Sequence, residues 1–249
     1  MGTENVYQNE DLLGLLKSLD TNSTPTKIKE VFKEIANKLF QNYHIVKGDK
    51  TYDFLEIEFY FYSSNHKDLI TYPRKSNRPG MWFFHMSGVD ITFGSDAKEG
   101  DHPLWYGGIL IRSIAKTSED KKYICGPMKC VDELFDYIYA FEGDISRADI
   151  PYINKKEKET IPVRSCCRYI PLLYLNEKER SRKFEELKGR RKKDWEKTPE
   201  LIKDLDNSQY SVKDFDKFLN RPYRYYRDDD NNWMNGYKAK PKDAIETGL

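Results

Sequence analysis

The chain is poor in cysteine and histidine, has no long apolar run and carries no excess of either charge, and each shortage removes a class of function. Its four cysteines, Cys125, Cys130, Cys166 and Cys167, have spacings that fit neither a zinc ribbon nor a CxxC redox pair, so reduced thiols are expected. His44, His66, His85 and His102 show no metal-ligand spacing, and no metal or other cofactor is expected. No stretch approaches the roughly 20 consecutive apolar residues of a membrane span, and the first residues lack a basic-then-apolar leader. The expectation is an intracellular chain (cytoplasm, nucleoid or nucleus) with no membrane partner. A net charge of +1 leaves attraction to a polyanion to local clusters of Lys and Arg. There is no GxSxG elbow, P-loop or GxGxxG cradle, which disfavours Ser-His-Asp hydrolases and the common nucleotide-binding folds. No repeat or long linker divides the 249 residues, so one domain acting as a monomer is expected.

What the chain does have is aromatic residues, 14% of the total, which contradict disorder and supply flat faces for packing or for stacking on nucleobases. Two amphipathic helices are predicted first, one around Leu12, Leu13, Leu16 and Leu19, the other from Pro25 to about Gln41 behind a Thr24 cap. Strands follow. From Tyr52 to Ser63, alternation sets Phe54, Glu56, Glu58, Tyr60 and Tyr62 on one face and Leu55, Ile57, Phe59 and Phe61 on the other. Met81 to Phe93 reads as two strand pieces joined at Ser87-Gly88, and Gly107 to Ile114 as a third strand. A helix from Gly126-Pro127 to about Tyr139 turns Met128, Val131, Leu134, Phe135 and Ile138 inward. Another strand is predicted around Arg164 to Leu175, then an exposed basic helix over Lys178 to Lys197 and a short helix from a Ser211/Asp214 cap to Leu219. This order implies an α+β fold. Its parts are a helical segment over 1–45 packed on the core, a mixed or antiparallel curved sheet flanked by helices over 46–230, and a loosely held tail over 231–249.

Ionisable residues inside these apolar strands carry the chemistry. A carboxylate on a buried strand face needs partners or solvent, and burial would raise the pKa of Glu56 or Glu58; solvent exposure of both is the alternative. Arg112 sits in the apolar run Ile109-Leu110-Ile111, where an unpaired guanidinium is prohibitive, and a Glu58–Arg112 pair is the remedy. His66 and His85 are near enough in the chain to enter a common cleft, although a hydrogen-bonded structural histidine is the commoner occurrence.

In this order the motifs resemble those of the alkyladenine (methylpurine) DNA glycosylases. The resemblance rests on Glu56-Ile57-Glu58-Phe59-Tyr60, His66 in SSNHKD, FFHMSG at Phe83 to Gly88, and ILIRSI around Arg112. It extends to the helix start Gly126-Pro127-Met128-Lys129-Cys130 and to Pro222-Tyr223-Arg224-Tyr225, and so spans residues 52 to 226. It implies a glycosylase-like fold and a monofunctional DNA glycosylase that hydrolyses an N-glycosidic bond without a lysine nucleophile. Glu58 would be the general base for the attacking water, with Arg112 in support. Tyr60, His66 and Phe84 would wall the pocket for an extruded base, with His85 and Gly94 bordering it. Two departures stand out. The family's wedge tyrosine falls at Ser87, leaving Met86 as the substitute or a single-stranded substrate, and its purine-excluding asparagine falls at Gly94, which widens the pocket. DNA phosphates would be held by Arg190, Arg191, Lys192, Lys193, Arg221 and Arg224, the alternative for the basic run being a solvated helix face. Two other functions fit the same residues: a nucleobase-binding module that cleaves nothing, and a hydrolase of a different N-glycosidic substrate.

Overall fold

The computed structural model describes residues 9–74, 77–96, 102–118, 121–137, 148–207, 210–239 and 241. Among them, six helices and a curled antiparallel sheet, a half-barrel, form a mixed α+β fold. The helices are α1 (Glu10–Lys17), α2 (Pro25–Asn42), α3 (Pro127–Leu134), α4 (Glu177–Asp194), α5 (Pro199–Asn207) and α6 (Val212–Leu219). The strands are β1 (Tyr43–Lys47), β2 (Lys50–Ser63), β3 (His66–Lys67), β4 (Trp82–His85), β5 (Gly88–Thr92), β6 (Tyr106–Lys116), β7 (Tyr123–Cys125), β8 (Tyr152–Lys155), β9 (Val163–Cys166) and β10 (Arg224–Arg227). The main path runs β4-β5-β6-β2-β1-β8; β3 and β10 also pair with β2, β9 with β10, and β7 with β6.

Helix α2 begins as its sequence dictates. The Thr24 hydroxyl accepts the Lys27 N–H at 3.2 Å, Pro25 opens the helix, and Ile28, Val31, Phe32, Ile35 and Leu39 form its buried face. That face lies on one side of β2, where Phe32 stacks on Phe59 at 4.4 Å between ring centroids. Tyr52, Phe54, Ile57, Phe59 and Phe61 share this apolar core with α1 and α3. A second apolar cluster joins Tyr62, Leu69 and Tyr106 to Phe184, Trp195, Leu201, Leu205, Phe215 and Leu219 of the C-terminal helices.

The alternation expected along β2 fails at one place. The register against β6 shifts between Phe54 and Glu56 and again before Ile57, an irregularity that moves Phe54 to the α2 side. Leu55 leaves Ile57, Phe59 and Phe61 and joins Ala115, Cys166, Tyr226 and Trp233 in a third cluster. Beyond the irregularity Glu56, Glu58 and Tyr60 share the opposite face as expected. Two glycines of β6 let the faces fill, Gly108 this one, beside Arg74 and Asp90, and Gly107 the apolar one, beside Phe61 and Phe93. A Cβ on Gly107 would lie 2.4 Å from the Tyr60 carbonyl, and one on Gly108 2.5 Å from the Arg74 guanidinium.

Other expectations are corrected. The helix from Gly126-Pro127 ends at Leu134 because Phe135 turns into extended backbone to meet the rings of Trp82 and Phe84. Met128 is exposed and Cys130 is the buried residue instead; Ile138 and Tyr139 lie outside the described residues. The strand expected to Leu175 stops at Cys166, and a 3-10 turn follows from Pro171 to Tyr174, proline having no N–H for a ladder. The sheet already begins at Tyr43, inside the segment expected to be helical to residue 45. Residues 231–239 are not loosely held: Trp233 is 2% exposed in the third cluster, and Tyr237 and Ala239 bond to arginines of the sheet. Most of the remaining tail, 242–249, lies outside the described residues.

Candidate active site

The register places charge in a row across one face of the sheet. Phe83 pairs with Asp90, Asp90 with Leu110, Leu110 with Glu58, and Glu58 with Arg224, so five neighbouring strands turn these side chains to one side. Glu56 and Glu58 are both 0% exposed, and every oxygen has a partner. Glu58 Oε2 accepts from the Tyr60 hydroxyl at 2.8 Å and from Arg112 Nη1 at 3.1 Å, while its Oε1 accepts the Tyr169 N–H at 2.7 Å. Glu56 Oε1 accepts from Arg112 Nε at 3.0 Å and from Arg224, and its Oε2 from the Ser113 hydroxyl at 2.8 Å. Two carboxylates and two guanidiniums thus neutralise one another, which is what buried charges require. Burial pulls Arg112 down, but Glu58 and Glu56 outweigh it and hold its pKa well above the ordinary value. Tyr60 is raised well above its usual value by burial first and Glu58 second, so it keeps its proton and donates it to Glu58.

Above this cluster lies a cavity of about 400 Å³. Its lining includes Tyr60, Tyr72, Tyr169, Arg112, Ser87 and Pro127. The Tyr60 ring is backed by Arg168 at 4.7 Å, and Arg168 is itself locked by Asp68 and by the carbonyls of Phe59 and Phe218. Tyr237 also lines the cavity, accepting from Arg112 Nη2 at 3.1 Å. On another wall Asp90 accepts from Arg74 and, at 2.9 Å, from His85 Nε2. Burial lowers the Arg74 pKa and Asp90 opposes the fall.

Several expected site residues stand here: the pair Glu58–Arg112 meets, and Arg112, Tyr60, His85 and Ser87 line the cavity, while Glu58 itself lies behind Arg112 and Tyr60 and is not in the lining. Others do not. His66 is 0% exposed on the apolar side of β2, with Nδ1 bonded to the Phe61 carbonyl at 2.7 Å and Nε2 to the Tyr223 hydroxyl at 2.9 Å. Phe84 alternates away from Phe83 and His85, lies half exposed against Phe135, and is replaced as an aromatic wall by Tyr72 and Tyr169. Gly94 lies under α1, its N–H donating to the Leu16 carbonyl at 2.9 Å, and is not in the lining.

The basic residues divide likewise. Arg224 is spent on Glu56, and Arg191 is buried against the Leu69 and Thr71 carbonyls, so neither is free for a phosphate. Lys192 pairs with Asp206, and Arg221 lies over the Phe218 ring at 3.8 Å. Arg190 and Lys193 are exposed. Met86, at the β4–β5 turn beside Ser87, is 90% exposed.

The residues missed from sequence are Arg74, Asp90, Tyr72, Tyr169 and Tyr237. Asp90 carried the signal that marked Arg112, an ionisable group in an apolar strand; the loop and tail residues carried none. Among the described residues no cluster of three His, Cys, Asp or Glu side chains is placed to hold a metal ion, and no helix is long and apolar enough to cross a membrane. Comparison with family models, curated proteins and solved structures returns no match for this chain.

Proposed function

We propose that this protein is a DNA glycosylase of glycosylase-like single-domain fold, which draws a modified base out of the strand and hydrolyses its N-glycosidic bond. The observation that carries the reading is the Glu58–Arg112 pair beneath an aromatic-walled cavity that Arg112 and Tyr60 both line. An enzyme that works on a base must take it out of the stack, and flat rings such as Tyr72 and Tyr169 are suited to receive it. Water attacks the sugar carbon, and the bonding electrons leave with the base. The water's proton passes to the Tyr60 hydroxyl as that hydroxyl gives its own to Glu58, and it then returns to the departing base, leaving an abasic site. Met86, projecting from a turn whose neighbour Ser87 lines the cavity, is the wedge that fills the gap in the stack. Arg190 and Lys193 supply phosphate contacts.

The test is incubation with DNAs carrying alkylated, deaminated or hypermodified bases, mass spectrometry of what is released, and alkaline scission of the product strand. Glu58→Gln is expected to abolish release while binding persists; full activity in that variant rejects the assignment. A second reading has its own observation: every oxygen of Glu58 is occupied, as in a charge cluster built only for binding. A nucleobase-binding module would retain modified DNA on the wild-type chain and yield no alkali-sensitive sites.

A further inference from the structure

The cavity has a second ionic wall that the hydrolytic step does not use. Arg74, Asp90 and His85 all line it. Asp90 lies two strands from Glu58 in the same row, with Leu110 between, which is roughly 10 Å at ordinary strand spacing. The Arg74–Asp90 pair is buried, each side chain 2% exposed. Such a pair gains little over apolar packing of the same shape, so its place beside a cavity asks for a role in recognition.

The hydrogen bonds state what the wall offers. His85 Nδ1 accepts the Ser87 N–H at 3.2 Å, so the ring proton is on Nε2 and is donated to Asp90. Asp90 therefore holds two donors, and an ionised carboxylate has about four acceptor sites. Arg74 keeps a buried Nε–H with no protein partner, a donor in want of an acceptor. The charged groups in the lining are two guanidiniums, Arg74 and Arg112, against one carboxylate, Asp90. Glu56 and Glu58 neutralise Arg112 from behind the lining, so the excess a cationic guest meets is at contact range only, two guanidiniums against one carboxylate, whereas a neutral guest with a donor for Asp90 and an acceptor for Arg74 is matched.

Resting on the reading of this cavity as the base site, we propose that the Arg74–Asp90–His85 wall selects an uncharged base bearing a hydroxyl or amino substituent. Bases made cationic by N-alkylation are discriminated against. The test uses the full chain carrying Glu58→Gln, so that nothing turns over, titrated with oligonucleotides of one sequence. These hold a hydroxymethylated pyrimidine, its methyl counterpart or an N-methylated cationic purine. The hydroxymethyl base is expected to bind about tenfold tighter than the methyl base, and the cationic purine weakest. Asp90→Asn should erase the hydroxymethyl preference without weakening the methyl base; His85→Gln, at the edge of the pair, should reduce it if the first variant fails to fold. Equal affinity for the cationic purine, an unchanged preference in both variants, or no binding of any of the three overturns the proposal. Because affinity is read apart from release, a preserved preference with no release by the wild-type chain rejects hydrolysis alone. Release without preference rejects this wall alone.

Discussion

On one face of β2, Phe59 and Phe61 pack among Phe32, Phe93 and Tyr223; on the other, one residue away, Glu56 and Glu58 hold Arg112 and Arg224. Both faces are buried to the same degree, so burial does not distinguish them. What differs is the return on it. Removing the apolar face from water stabilises the fold directly, while a neutralised ion cluster contributes little net stability and earns its place through something else. The charged face is also the one that borders the cavity.

The strongest test of this contrast substitutes one residue on each face. Phe59→Ala is expected to lose about 3–5 kcal/mol of stability by denaturant titration, with base release per folded molecule unchanged. Glu58→Gln, which keeps the shape but turns one acceptor oxygen into a donor among donors, is expected to lose about 1–3 kcal/mol yet to cut release by about 10² to 10⁴-fold. Equal effects of the two on release would erase the distinction between faces.

A pH titration sharpens it. Burial lowers the pKa of His66 from 6.5 to about 4, so the unfolded chain binds a proton that the folded chain refuses. Stability is therefore full above about pH 6.5 and falls as pH drops towards 4, by about 3 kcal/mol from this one residue. His66→Gln should flatten the stability profile in that window. A shift in the pH dependence of base release from the same substitution would return His66 to the site.

How much of this contrast was legible depended on whether it was local. Alternation along β2 and a guanidinium stranded in ILIRSI were enough to pair Glu58 with Arg112, because a buried cation demands an anion within reach. The irregularity at Leu55 was invisible, since it depends on β6 closing against β2 rather than on either strand alone. His66 and Phe84 were misplaced by a single alternation, which sequence fixes only once the hairpin register is known. Arg224 looked like a surface cation in a run of tyrosines and arginines, and only its pairing opposite Glu58 sends it inward. Tyr237 comes from the tail, where nothing local marks a contact with Arg112 more than a hundred residues away in sequence.

That contact supplies a smaller test. Tyr237→Phe removes the acceptor of Arg112 Nη2 and is expected to lose about 1 kcal/mol. Loss of release without loss of affinity in this variant would make the tail residue part of the means by which Arg112 is positioned.

The smallest effect on stability is expected outside both faces, on α4. Arg190 and Lys193 are exposed, so replacing both with Ala should change stability by no more than about 0.5 kcal/mol. Arg191 is excluded from the pair because its guanidinium holds the Leu69 and Thr71 carbonyls and its loss would act through folding. If the two exposed residues neutralise phosphates, DNA affinity falls about equally for every sequence. The slope of log affinity against log salt then shrinks by about one for each lost contact. A slope unchanged in the double variant means that α4 is a solvated helix face and that the cavity meets nucleic acid by some other surface.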